Sequence, residues 1–189
     1  DVDARDPYRL SDPLFGKLRE PVQRLLNWGR GFGAASPSGN WAVGDLSDAA
    51  TRLGQSPMRS SSVFNFFRPG YVPPGTAIAQ AGYVAPEMQI THESSVAGYV
   101  NYMQAVVAGS RIDDVRADYA GLLTLVNDPA ALLAELNLVL AAGQLSAATL
   151  ETIRAAIATI NASTAAGASN RLYAALVLVL ATPEYIVQK

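Results

Sequence analysis

The chain has 189 residues, half of them hydrophobic and 16% charged, with a formal net charge of −2 and no cysteine. Such a balance predicts a globular chain, long enough for one domain with a full core or for two small ones. There is no basic excess to neutralise phosphates, which argues against a nucleic-acid partner; the absent thiols exclude disulfides, thiolate catalysis and Cys-ligated zinc.

In chain order, Asp1 to Pro13 alternates charges with Pro7 and Pro13 and reads as an extended arm, reaching to residue 16 and fit to wrap a neighbour. A first residue of Asp rather than Met suggests a processed or cut chain with no signal peptide left to read. Leu18, Val22, Leu25, Leu26 and Trp28 fall at helical spacing, so a first helix is expected from about Glu20, with Pro21 in its first turn and Gly29, Gly31 and Gly33 stopping it. Gly29, Gly31 and Ala34 also match the G-x-G-x-x-A spacing of dinucleotide sites. That fingerprint needs a strand feeding a helix, whereas here the glycines follow a helix and lead into Ser36-Pro37-Ser38-Gly39, so it is rejected. Asp45 to Leu53 is predicted as a short helix capped by Asp45 or Ser47 and ended by Gly54.

Pro57 to Thr91 is the most unusual stretch, holding three of the five phenylalanines and five of the eleven prolines, with no helical or strand period. Disordered segments are poor in aromatics, and proline lowers the entropy lost on ordering. An ordered, extended loop is expected, folded over helices and anchored by Phe64, Phe66 and Phe67. The competing reading is a ligand-facing groove, since function concentrates on ordered loops.

Beyond it, Thr91 is expected to cap a stronger helix carrying Val96, Tyr99, Val100, Met103, Val106 and Val107, ended by Gly109. Asp113 to Val126 reads as another, with Asp113 and Asp114 at the positive end of its dipole. Asp128-Pro129 signals a helix start running to Gly143. Ser146 caps the next, with Leu150, Ile153, Ile157 and Ile160 on one stripe; Ser163 to Ala168 reads as a linker. Asn170 to Ala181 is apolar nearly all round and should lie at the centre of the bundle. Its apolar run, Leu172 to Ala181, is about half a membrane span, so no membrane span is expected. Nothing alternates with period two for long enough to make a sheet. The fold class expected is all-α: a single irregular multi-helix bundle with a long ordered Pro/Gly/aromatic loop packed on it, divided into arm (1–16), short helices (17–56), loop (57–91) and helical bundle (92–189).

Few residues could carry chemistry. His92 is the only histidine, expected just inside a helix start, where a cationic ring is disfavoured and a neutral one suits a base or ligand; an ordinary first-turn residue is the alternative. No G-x-S-x-G elbow, phosphate loop or complete catalytic set occurs, and neither metal nor cofactor is implied. Glu87 and Glu93 flank Met88 to His92 and could pair as acid and base, or serve a solvated face or a helix start. Between Asp48 and Glu87 the chain carries Arg52, Arg59 and Arg68 and no acid. Arg68, among aromatics, is placed either to bond loop carbonyls or to clamp an anionic ligand. Asn65, Arg68, Tyr71 and His92 are therefore the candidate binding residues.

The run Arg59 to Tyr71, RSSSVFNFFRPGY, resembles the signature of a bacterial family known as domain of unknown function 1800. Gly16 to Val22, Val84 to Gln89 and Leu178 to Tyr185 look like the same family, in the same order. The resemblance implies an exported protein, periplasmic or extracellular, of which this chain is the C-terminal part. It also implies frequent encoding beside a second uncharacterised family with a hydrolase-like fold. No established chemistry comes with it. Two roles stay open: a binding module that packs on an N-terminal half and on a partner protein or polymer, or one wall of a hydrolase site built from Arg68, Tyr71 and His92. The first predicts an exposed apolar patch.

Overall fold

The computed structural model describes residues 6–12 and 15–189. Their helices are α1 (Pro7–Ser11), α2 (Pro21–Gly31), α3 (Ala77–Gln80), α4 (Glu93–Val107), α5 (Ala120–Leu123), α6 (Pro129–Ala141), α7 (Ala147–Ala158), α8 (Ala165–Leu180) and α9 (Pro183–Ile186), with a 3-10 turn at Pro86–Ile90. The only paired strands among them are two residues each, β1 (Lys17–Leu18) against β2 (Val187–Gln188), antiparallel. The fold is all-α.

The apolar helix predicted to be central is central. Leu172, Ala175, Leu176 and Val179 of α8 are wholly buried, and α8 packs against α4, α5, α6, α7 and α9. It starts five residues before the predicted Asn170, because Thr164 accepts the Gly167 N–H at 3.1 Å and caps it. Small residues at its start read as a linker for a reason of packing: a Cβ on Gly167 would lie 2.0 Å from the Asn161 carbonyl oxygen, so only glycine admits the turn from α7. The side chain of Arg171 then bonds the carbonyls of Val126 and Ile160, tying the loops before α6 and after α7 to α8.

Three other expectations need correction. Asp45 to Leu53 is not a helix. Asp48 accepts the N–H and hydroxyl of Thr51 (2.7 and 2.8 Å), and Gly54, at φ +67°, turns its N–H back to the Asp48 carbonyl. Asp and Gly here close a single turn, which buries both Leu46 and Leu53. Asp113 to Val126 is helical only over α5, since Asp114 reaches across to another loop and Arg116 exchanges backbone bonds with Ala35 (2.9 Å each). The arm contains the helical turn α1, capped by Asp6; residues 1–5 and 13–14 of that arm lie outside the described residues. The sequence breaks are otherwise close. Asp128 and Ser146 cap α6 and α7 as expected, and α4 ends on Gly109 with the paired 6→1 and 5→2 bonds of a left-handed cap (Ser110 N–H to Ala105, Gly109 N–H to Val106).

Helix α2 continues through Gly29 and Gly31. A Cβ on Gly31 would be 2.9 Å from Val139, so this glycine serves the close crossing of α2 over α6. At the N-terminal end of α2, Arg19 lies over the ring of the wholly buried Tyr185 (4.8 Å) and Arg24 over Tyr99 (4.7 Å). The Tyr185 hydroxyl donates to the Arg24 carbonyl and the Tyr99 hydroxyl to the Leu180 carbonyl. Burial pushes the Tyr185 phenol up to about 12. Lys17 pairs with the buried Glu87 at 3.2 Å, and the Arg19 N–H bonds Ile186. Residues 16–22, 84–89 and 178–185 thus meet at one junction.

Candidate functional site

Before it reaches that junction at residues 84–89, the stretch from Pro57 to Thr91 is built differently. None of the buried hydrophobic side chains of the core lies within it among the described residues. Phe64 is 59% exposed, Val63 93%, and Met58 wholly so; Val72, Tyr83 and Val84 also face solvent. Phe66 and Phe67 are half-buried. The predicted anchoring by three phenylalanines therefore fails for Phe64, while Phe66 and Phe67 are partly covered without joining the buried core. Turns rather than rings hold it: Asn65 N–H to Ser62, Tyr71 N–H to Arg68, Ala85 N–H to Tyr71, and the Arg68 N–H to the Gln89 side chain at 2.7 Å. Asn65 sits at φ +66° and Met58 at φ +60°, conformations that cost a non-glycine residue about 1 kcal/mol or more and here turn their side chains outward.

Asn65 and Arg68 are exposed, and Tyr71 is half-buried. His92 is the cap residue of α4 itself rather than Thr91: its N–H bonds the Ser95 hydroxyl (2.9 Å) and its Nδ1 lies 3.2 Å from the Ser94 hydroxyl. Glu87 is taken by Lys17, and Glu93 stands exposed in the first turn of α4. No group of three metal-ligating side chains occurs among the described residues.

Two concavities are better formed. One, of about 400 Å³, is open and lined by Phe32, Asp118, Leu122, Glu135 and Val139 with neighbouring glycines. The other encloses about 390 Å³ between α2 (Val22, Leu25, Leu26, Trp28), the loop carrying Trp41, Val43 and Leu46, and Ile112 and Val115. Pro57 closes one edge of it, so this groove abuts the start of the aromatic stretch; Arg30 is its only charged lining residue. Arg68, Tyr71 and His92 line neither.

Its mouth is held by a carboxylate. Asp114 accepts the Ser36 hydroxyl (2.8 Å) and the N–H groups of Ser38 (3.3 Å) and Ala42 (2.9 Å), clamping the loop that bears Trp41. Hydrogen bonds from Ser38, Ala42 and Ser36 hold the Asp114 carboxyl down at about 2. Within this clamp Trp41 adopts φ +52°, and its carbonyl accepts the Val43 N–H, a tight three-residue turn. Its ring remains half-exposed, while Trp28 is buried beneath with its indole N–H on the Tyr119 hydroxyl at 2.8 Å. The Arg59–Asp45 ion pair (3.0 Å) and the Leu46 N–H on the Ser56 hydroxyl join this loop to the aromatic stretch. Sequence reasoning overlooked the groove because its walls come from four separate segments. The one signal was a tryptophan in a Ser/Gly/Pro-rich loop, where a large ring has no local core to fill.

Fold and site together define an all-α domain that displays an aromatic loop and an apolar groove. Residues 3–187 match the family described as "Protein of unknown function (DUF1800)", and the chain belongs to that family. No curated protein and no solved structure matches it. No helix among the described residues is long and apolar enough to cross a membrane.

Proposed function

We propose that this chain is a binding module whose outward aromatic stretch and adjoining groove pack against another polypeptide, in the exported setting that the family resemblance implies. One observation carries the reading. The stretch richest in rings gives nothing to the core and leaves Met58, Val63 and Phe64 in water, although a chain gains by burying such side chains. Asn65, Arg68 and Tyr71 belong to the contact surface, and His92 supports it by capping α4 at its edge. The partner in this reading is first the N-terminal region of a longer family protein and then a separate protein or polymer. A hydrolase wall of Arg68, Tyr71 and His92 lacks comparable support, since these residues line neither cavity.

The test is to express that N-terminal region of a longer family protein separately and mix it with this chain. A one-to-one complex on gel filtration, lost in the Met58→Ser/Phe64→Ser double variant, is expected. A complex indifferent to both substitutions, or none at all, would refute the reading.

A further inference from the structure

We infer that the polypeptide bound by this face presents an acidic segment around one large apolar side chain, and that this side chain enters the groove under Trp41. The inference rests on the binding-module reading and names the partner's chemistry.

Charge distribution is the first support. From residue 49 to residue 86 the chain carries three arginines and neither lysine nor acid, a local charge of +3 in a protein of −2. Arg52, however, lies outside the aromatic stretch and within electrostatic reach of Asp45 and Asp48, so the cations left to this face are Arg59, Arg68 and, at the groove, Arg30. Arg59 is partly spent on Asp45. The Arg68 side chain is exposed, and neither it nor the side chain of Arg30 has an ion pair or hydrogen bond among the described residues. Such a face attracts acidic partners and repels basic ones, which sets encounter rate and specificity more than raw affinity.

The groove is the second support. About 390 Å³ of concave space with a lining that is apolar but for Arg30 suits one large apolar side chain, not an extended backbone, whose N–H and C=O groups would find no partners there. The clamp on the 36–42 loop keeps Trp41 at positive φ over the opening before any partner arrives. A preformed pocket for a single anchor is where binding energy concentrates in protein interfaces. An anionic lipid surface would also favour arginine beside exposed rings, but a recessed pocket is of little use against a flat bilayer.

The experiment is a peptide-display selection on the intact chain, followed by titration of the enriched peptides by isothermal calorimetry. Enriched sequences are expected to hold one Leu, Phe or Trp flanked by Asp or Glu. Replacing that anchor by Ala should weaken binding about tenfold or more, and Trp41→Ser or Leu26→Ser on the chain should do the same. Arg30→Glu and Arg68→Glu should each cost about two- to fivefold, and the loss should shrink at high salt. Enriched peptides that bind this face but are neutral or basic would overturn the acidic-anchor inference while leaving the binding module intact. Failure to enrich any peptide, or peptides whose binding ignores the Trp41, Leu26 and Phe64 substitutions, would overturn both. Sedimentation with phosphatidylserine vesicles at physiological salt, unaffected by competing peptide, would assign the face to a membrane instead and also overturn the inference.

Discussion

Two regions of this protein carry the family's motifs and use them in opposite ways. At the junction of α2, the 3-10 turn and α9, the motif residues are polar or charged and yet buried or packed: Tyr185 bonds Arg24, Arg19 covers Tyr185, Lys17 meets Glu87. In the stretch from Pro57 to Thr91 they are aromatic and apolar, and many stand in solvent. At the junction charged groups such as Arg24 and Glu87 go in beside the rings, and in the stretch rings stay out beside the charges. Charges go inward where several elements are held in one register; rings stay outward where the backbone is held by turns. A motif's residue types therefore do not reveal whether it serves the fold or the function. What its side chains touch does.

The contrast can be broken first at the junction. Tyr185→Ala should lose about 3–5 kcal/mol, the range for deleting a large buried ring, read as a lowered urea midpoint. Gly98→Ala comes next. A Cβ there would sit 2.3 Å from the Ala49 carbonyl oxygen, where the 49–50 backbone rests on α4, so an overpacking loss of about 1–3 kcal/mol is expected from the same titration. If either variant were as stable as the parent, the packing described for α2, α4 and α9 would be wrong.

Smaller effects sharpen the other side. The Asp114 carboxyl has its pKa depressed from 3.8 to about 2 in the folded protein, so its contribution is present above pH 4 and disappears as the pH falls toward 2. Acrylamide quenching of Trp41 should rise over that interval, and Asp114→Asn should weaken the dependence and leave Trp41 more accessible at neutral pH. Phe64→Ser should change stability by no more than about 0.5 kcal/mol, as for exposed positions generally, while removing binding. Tyr102→Phe should be neutral or slightly stabilising, because the Tyr102 hydroxyl is buried without a hydrogen-bond partner among the described residues; thermal denaturation decides it.

The bundle was legible in the sequence because helical spacing and caps are local signals. Asp128-Pro129, Ser146 and the apolar run of α8 from Leu172 each declared themselves within one or two turns. Where the reading failed, a long-range contact had overruled a local one. Asp114 looks like a helix-start acid but bonds a loop more than seventy residues away, and Gly167 looks like a linker but admits a carbonyl into the first turn of a helix. The candidate site was half legible. Composition pointed to the aromatic stretch and its unopposed arginines, but not to which way the rings face, because an ordered loop can be held by turns as well as by anchors. Nothing local to Trp41 connects it with Leu26 or Val115.

The central claim is that the aromatic stretch shows apolar side chains to solvent while Arg24, Glu87 and Tyr185 at the junction near α2 are buried. The three methionines give an internal comparison: Met58 in the stretch is fully exposed, Met88 is half-buried and Met103 lies in the core. Mild peroxide oxidation followed by peptide mass spectrometry should modify Met58 first, Met88 more slowly and Met103 only on unfolding. Met58 protected as strongly as Met103 in the isolated chain would contradict the account, since the stretch would then be packed inward and have no face to offer.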